Sequence, residues 1–300
     1  DEKEIEVFLE EHTAKEESVV VYSTFQSAED VLSRWEWDED TVVLVDEAHN
    51  VIGRDTLCEW IQGFRRCLAM SATFPEEVEE AIGIENKVVV PFSKGIEGGY
   101  IVDYTLWLPS LTKHEDGSTS VEGEIPVGFE AYERSMVLKA LYHAVCMLRT
   151  GSRRTIVYLG SQAECDEYMS VCRRVLEEYH GVTEVWMGKM TCSVNSKERK
   201  AILTEFQGGE AGSFRILTSV RILDEAVDIP SCDSVFITMV GEQSSDIRFF
   251  QRAQRSGTLD PKNPMKRNNI FLWAEGWERC VGALSLLREA DPEFHAKVRH

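Results

Sequence analysis

The run Val42-Val43-Leu44-Val45-Asp46-Glu47-Ala48-His49 sets two adjacent carboxylates and a histidine directly after an apolar stretch. Thr41 to Val45 predicts a buried strand, so Asp46 and Glu47 fall at its carboxyl end. In open α/β sheets ligands bind at that edge. Paired acids there suit a Mg²⁺–phosphate site. One carboxylate holds the metal, often through water, while the other takes a proton from the attacking water. A second group, Gln251-Arg252-Ala253-Gln254-Arg255-Ser256-Gly257, offers cations on a predicted helix. Residues three and four apart share a helix face, so Gln251 and Arg255 point together and Arg252 lies beside Arg255.

These groups need strands and helices to carry them. In the first hundred residues Val19–Tyr22, Thr41–Asp46, Cys67–Ala72 and Val88–Val90 read as short, wholly buried strands. Pro75 to Ile82 reads as a helix, with Pro75 in its first turn, Glu76 and Glu77 complementing the dipole and Gly83 at its exit. Ile101–Pro109 reads as a strand, Lys113–Gly123 as an exposed loop and Ala131–Leu148 as a helix. A second strand–helix series follows. Its strands are Thr155–Leu159, Val182–Met187, Arg215–Val220, Ser234–Val240 and Ile270–Ala274. A capping box at Ser161–Glu164 opens one helix and Asn195–Glu198 opens the next. Ser245–Arg255 is a helix closed by Gly257, and Trp277–Val298 is mostly helical. Such alternation predicts parallel sheets covered by helices, and the break between series predicts two α/β domains.

Asp46-Glu47-Ala48-His49, Ser71-Ala72-Thr73 and Gln251 to Gly257 occur in that order. They resemble motifs II, III and VI of the superfamily-2 helicases, and the resemblance spans nearly the whole chain. It implies two RecA-like domains, here 1–100 with the first domain incomplete and 101–300 with a helical tail, divided near Gly98–Tyr104. It implies ATP and Mg²⁺ held between them, with Asp46 binding Mg²⁺, Glu47 acting as general base and His49 linking the ATP site to the other domain. Ser71 and Thr73 would bond Asp46 or His49 and transmit nucleotide state. Arg255 matches the first arginine that stabilises γ-phosphate charge, with Arg252 and Gln251 beside it. The second such arginine falls at Thr258, which supplies no fixed cation.

Tyr22 to Ser27 is similar to a nucleic-acid segment of the same family, in which Ser23 and Thr24 would donate to phosphates. A helix cap before Ala28–Leu32 explains those hydroxyls equally well. Leu217 to Val220 with Asp224 to Pro230 looks like motif V. Thr218 and Ser219 would meet nucleic-acid phosphate and Asp228 would sit near the nucleotide. The family often has Glu-Gly where this chain has Glu225-Ala226. Thr155–Ser161 resembles motif IV, and a core strand with a cap accounts for it nearly as well. Gly188-Lys189 reads as a turn rather than a phosphate loop, because no Ser or Thr follows the lysine.

Composition sets bounds. The net charge is −20, from 32 basic and 52 acidic residues. That argues mildly against nucleic-acid binding, since phosphate contacts need Lys and Arg. The excess is uneven: residues 1–50 carry 3 basic and 16 acidic side chains, whereas 241–300 carry 10 and 8. The eight cysteines show no C-x-x-C spacing and read as reduced, buried residues of a cytoplasmic or nuclear protein. No apolar run approaches membrane-spanning length.

No Gly-Lys-Ser/Thr loop precedes Asp46. The chain is therefore expected to be a fragment of a longer helicase, which Asp1 in place of Met favours, and to bind ATP poorly alone. The leading reading is the core of an ATP-dependent helicase or translocase, with DNA favoured over RNA because Glu225–Pro230 resembles restriction- and repair-type helicases. The alternative is a catalytically inactive helicase-like module that binds nucleic acid or protein.

Overall fold

The computed structural model describes residues 18–34, 37–72, 74–210, 212–220, 223, 229–238, 246–274, 276, 281, 284–285, 287–288, 291 and 293–299. The chain divides into two compact units, Asp1–Val89 and Val90–His300.

In the first unit, β1 (Val42–Val45) and β2 (Arg66–Ala69) pair in parallel with Val45 opposite Ala69. Helices α1 (Phe25–Asp30), α2 (Asp55–Gln62) and α3 (Glu76–Ile82) supply a core with Val45 at its centre and Leu57, Ile61, Val78 and Ile82 around it. Pro75 takes an extended conformation just ahead of α3 rather than lying in its first turn, and Gly83 closes the helix in the left-handed region, as the sequence predicts. The two strands are not wholly buried. Alternate side chains point to opposite faces, and only one face is covered: Val42, Leu44 and Leu68 are each more than half exposed. Val19–Tyr22 and Val88–Val90 form no strand, and apart from the half-buried Val19 they are exposed; they lack a ladder partner among the described residues, and β-branched side chains alone do not make a strand.

The second unit starts with α4 (Phe92–Glu97) and centres on a seven-stranded sheet ordered β11-β3-β10-β9-β6-β8-β7, with every pairing parallel. Its strands are β3 (Tyr104–Trp107), β6 (Arg154–Tyr158), β7 (Val185–Met190), β8 (Phe214–Ser219), β9 (Ser234–Ile237), β10 (Asn268–Leu272) and β11 (Val298–Arg299). Helices α5 (Arg134–Thr150) and α6 (Gln162–Arg174) cover one face, packing Ala140, Ala144, Tyr168 and Cys172 against Val157, Ile216 and Phe236. Helices α7 (Ser196–Gln207), α8 (Asp246–Gln254) and α9 (Phe294–Lys297) cover the other, packing Phe206, Phe249 and Phe294 around Ile156, Leu217 and Val235. Because both faces are covered, the inner strands carry unbroken apolar runs, such as Ile156–Val157 in β6 and Ile270–Leu272 in β10, rather than strict alternation.

Three local expectations change. Lys113–Gly123 is part of a hairpin, β4 (Leu111–Lys113) against β5 (Thr119–Val121), turned by Gly117 at φ 88° and by Asp116 accepting from the Ser118 amide. The tail is not helical to its end: Val298–Arg299 pairs with Leu106–Trp107. At Ser161 the hydroxyl caps Glu164, but the Glu164 carboxylate takes the Gly160 amide instead of closing the box, whereas Asn195 and Glu198 form a complete one.

His143 on α5 is fully buried, stacked on Phe236 at 4.9 Å with Nδ1 2.5 Å from the Tyr168 hydroxyl. Burial pushes its pKa down to about 3 from an ordinary 6.5. A depressed folded pKa contributes stability that is complete above the unfolded value and is lost as pH falls toward the folded one. Between pH 6.5 and 4 this one residue should cost roughly 1.4 kcal/mol per pH unit. Urea unfolding of wild type and His143→Phe across that range checks it; equal pH slopes for the two proteins would rule the assignment out.

Candidate functional site

Parallel pairing of β1 and β2 brings their carboxyl ends together. The ladder continues past the strands, with the Met70 amide donating to the Val45 carbonyl (2.8 Å) and the Ala48 amide to the Met70 carbonyl (2.9 Å). Asp46 is exposed and accepts from the Glu47 amide at 3.0 Å. Glu47 takes φ 49°, ψ 49°, and among the described residues no other non-glycine has positive φ. That twist turns the chain sharply into a short helical turn, Ala48–Val51. His49, nearly buried, sits with Nδ1 2.9 Å from Ser71 Oγ and 3.4 Å from Glu47 Oε2. Ser71, leaving β2, is thus tied through His49 to the acid that follows β1. Thr73 lies outside the described residues.

Asp46 offers an oxygen-only, exposed ligand of the kind Mg²⁺ accepts beside phosphate and water. Among the described residues no cluster of three or more His, Cys, Asp or Glu gathers as a metal cage. One carboxylate plus ligand oxygens is nevertheless a normal Mg²⁺ arrangement, so the residues fit. Thr24 caps α1: its Oγ1 accepts from the Ser27 amide at 3.2 Å, and its side chain remains exposed.

In the second unit, Thr218 and Ser219 close β8 and are fully buried. Thr218 Oγ1 donates inward to the Gly188 carbonyl at 3.1 Å. Ser219 Oγ has no hydrogen-bond partner among the described residues. Gln251 and Arg252 on α8 are also buried, at 6% and 4% exposure. Neither side-chain amide atom of Gln251 is bonded among the described residues, and the Arg252 guanidinium lies 5.0 Å over the Tyr158 ring. The helix ends at Gln254, so Arg255 falls in the turn beyond it, half-buried, its amide donating to Arg252 O at 3.2 Å. The regular i, i+4 relation expected of Gln251 and Arg255 therefore stops at the helix end. Thr258 is half-buried; Asp228 lies outside the described residues.

Two residues here carry no motif. Asn268 at the start of β10 accepts at Oδ1 from the Ser256 hydroxyl. Lys266, only 7% exposed, donates from Nζ to the Pro230 and Thr258 carbonyls at 2.7 and 2.5 Å. A lysine between proline- and asparagine-rich residues reads as solvated in sequence, so no sequence signal marks it.

Residues 136–259 match the helicase conserved C-terminal domain. No curated protein matches the chain. Its fold is similar to that of an ATP-dependent type ISP restriction-modification enzyme, LlaBIII, bound to DNA, at TM-score 0.68 and 16% identity over 92% of this chain and 22% of that one. It is similar to a fragment described as an HsdR subunit of a type I restriction enzyme from Vibrio vulnificus YJ016, at 0.57 and 20% over 86% and 47%. It is also similar to S. cerevisiae Dbp5 bound to RNA and ADP BeF3, at 0.51 and 15% over 89% and 62%. The chain thus spans between about a fifth and three fifths of these proteins' lengths. The fold is a parallel α/β sheet flanked by helices, of the RecA-like type seen in helicase C-terminal domains. Its larger unit carries the helicase conserved C-terminal domain. No described helix is long and apolar enough to cross a membrane.

The left-handed Glu47 gives a direct test. A β-branched side chain tolerates that conformation poorly. Glu47→Val should unfold with about 1–2 kcal/mol less stability than Glu47→Gly; equal thermal stability of the two variants would show that the strained turn is absent in solution.

Proposed function

We propose that this chain is the core of an ATP-dependent nucleic-acid helicase or translocase, acting within a longer protein. The observation that carries the reading is the strand-end cluster of Asp46, Glu47, His49 and Ser71 in a chain whose other unit contains the residues, 136–259, that match the helicase conserved C-terminal domain. Bound Mg²⁺ supplies neutralisation of phosphate charge, with Asp46 holding it through water. Glu47 takes the proton of the attacking water. Its turn is short and tied by backbone bonds, which suits a base that must be oriented before reaction. His49, bonded to Ser71, transmits the state of the acid to β2, and Thr73 acts with it. Arg255 stabilises charge on the transferred phosphate, aided by Arg252 and Gln251, and the resemblance assigns Asp228 a part in nucleotide binding.

Nucleic acid runs across Thr24, Ser219 and the end of β8 at Thr218. The inward bond of Thr218 assigns its hydroxyl to the fold, so the backbone of β8 and Ser219 carry that contact. DNA is favoured over RNA through the Glu225–Pro230 segment alone, since a DNA-bound and an RNA-bound protein both share the fold. The second reading, an inactive helicase-like binding module, rests on Thr258 standing where the second arginine falls.

Glu47→Gln in the complete protein should lower ATP turnover at least about 100-fold while nucleotide affinity stays within a few fold. Wild-type turnover in that variant would remove Glu47 from the mechanism. An inactive wild-type protein that still binds nucleic acid would favour the second reading. The DNA preference is checked by titrating single-stranded DNA and RNA of one sequence at several salt concentrations. Tighter binding to DNA at every salt is expected, with affinity falling linearly on a log–log plot; RNA binding more tightly throughout would reverse the assignment.

A further inference from the structure

The turn that carries Arg255 is gripped from outside along its length. The Ala253 carbonyl accepts from Asn268 Nδ2 at 3.5 Å, and the Ser256 hydroxyl bonds Asn268 Oδ1. The Gly257 carbonyl accepts from the Val102 amide at 2.8 Å. The Thr258 carbonyl accepts from Lys266 Nζ, which also reaches the Pro230 carbonyl. The fit is close: a Cβ on Gly257 would lie 2.8 Å from Gln254 Oε1 and 3.3 Å from Asn268 Nδ2. Lys266 and Asn268 belong to one short run entering β10, so both holds descend from the same rigid strand. Pro230 ends the segment resembling motif V, and Thr258 follows the segment resembling motif VI. One buried ammonium therefore joins the exits of both.

We propose that Lys266, seconded by Asn268, is a positioning residue that fixes the Arg255 turn and couples it to the Pro230 exit. A buried carbonyl needs a donor, and the lysine supplies two such carbonyls at once through a compact ammonium with three rotatable donors. Without it the Thr258 end of the turn is released while the Asn268 and Val102 ties remain. The backbone bearing Arg255 then samples a wider range, and a group that must meet developing charge loses its aim. This rests on the helicase reading only for its catalytic consequence; the mechanical tie stands apart from it.

The experiment uses the complete protein with Lys266→Met, Arg255→Ala and the double variant. Amide exchange of Lys266→Met should speed up at Arg255 and Gly257 and stay unchanged in β6 and β8. Unchanged exchange at the turn overturns the inference whether or not the protein hydrolyses ATP, and so does acceleration spread over the whole sheet. In turnover, kcat of Lys266→Met should fall about 10- to 100-fold with KM for ATP little altered. The double variant should be no slower than Arg255→Ala alone, because both lesions remove one interaction. Full additivity of the two losses overturns the coupling to Arg255. Wild-type turnover in Arg255→Ala overturns the proposed role of that arginine instead, and leaves the tie to be decided by exchange.

Discussion

Parallel strand pairing is the constraint on which the rest of this molecule depends. It sends every strand of a sheet in one direction, so the residues that leave the strands collect along a single edge. In the smaller unit that brings Ser71 beside His49 and Glu47 although 22 residues separate Ser71 from His49 in sequence. In the larger unit the exits of β6, β8 and β9 share an edge in the same way, and Ser219 lies there.

Burial then decides which side chains stay available. Strands covered on both faces hold polar groups along their length where these are hydrogen-bonded within the fold, as Thr155 is to Ser234, so groups free for chemistry gather at their ends and in the turns that follow. Thr218 illustrates the limit: one residue inside the strand, its hydroxyl is satisfied by Gly188. Ser219, one residue later, is equally buried and unbonded. Gln251 is buried with both side-chain amide atoms unbonded among the described residues, an arrangement that costs free energy wherever it occurs. Glu47 adds backbone strain of the same kind.

Much of this was legible in residue order. The elements of the larger unit follow the predicted strand–helix alternation, since apolar runs of strand length bounded by capping residues leave few alternatives. The acid pair after β1 and the hydroxyl after β2 were visible as strings; the resemblance left Asp46 and His49 both open as partners of that hydroxyl, and the fold sets Ser71 against His49. Other features were not legible. Val19–Tyr22 and Val88–Val90 have strand composition without a strand, because a strand is made by its neighbour and not by its own side chains. The Lys113–Gly123 hairpin was hidden by turn-forming residues that serve a hairpin tip as readily as a loop. Arg255 was placed on a helix that stops one residue earlier.

By itself the amino-acid order determined the kinds of group available, their succession and the periodicities that make strands and helices, since these depend on neighbours within a few residues. Only the tertiary structure decided which groups meet and how wet they are. Lys266 shows why: its ammonium is held by carbonyls 36 and 8 residues away, and its burial depends on segments it could not sense along the chain. Hydrogen bonding and desolvation are set by distance in space, and folding alone converts separation along the chain into distance.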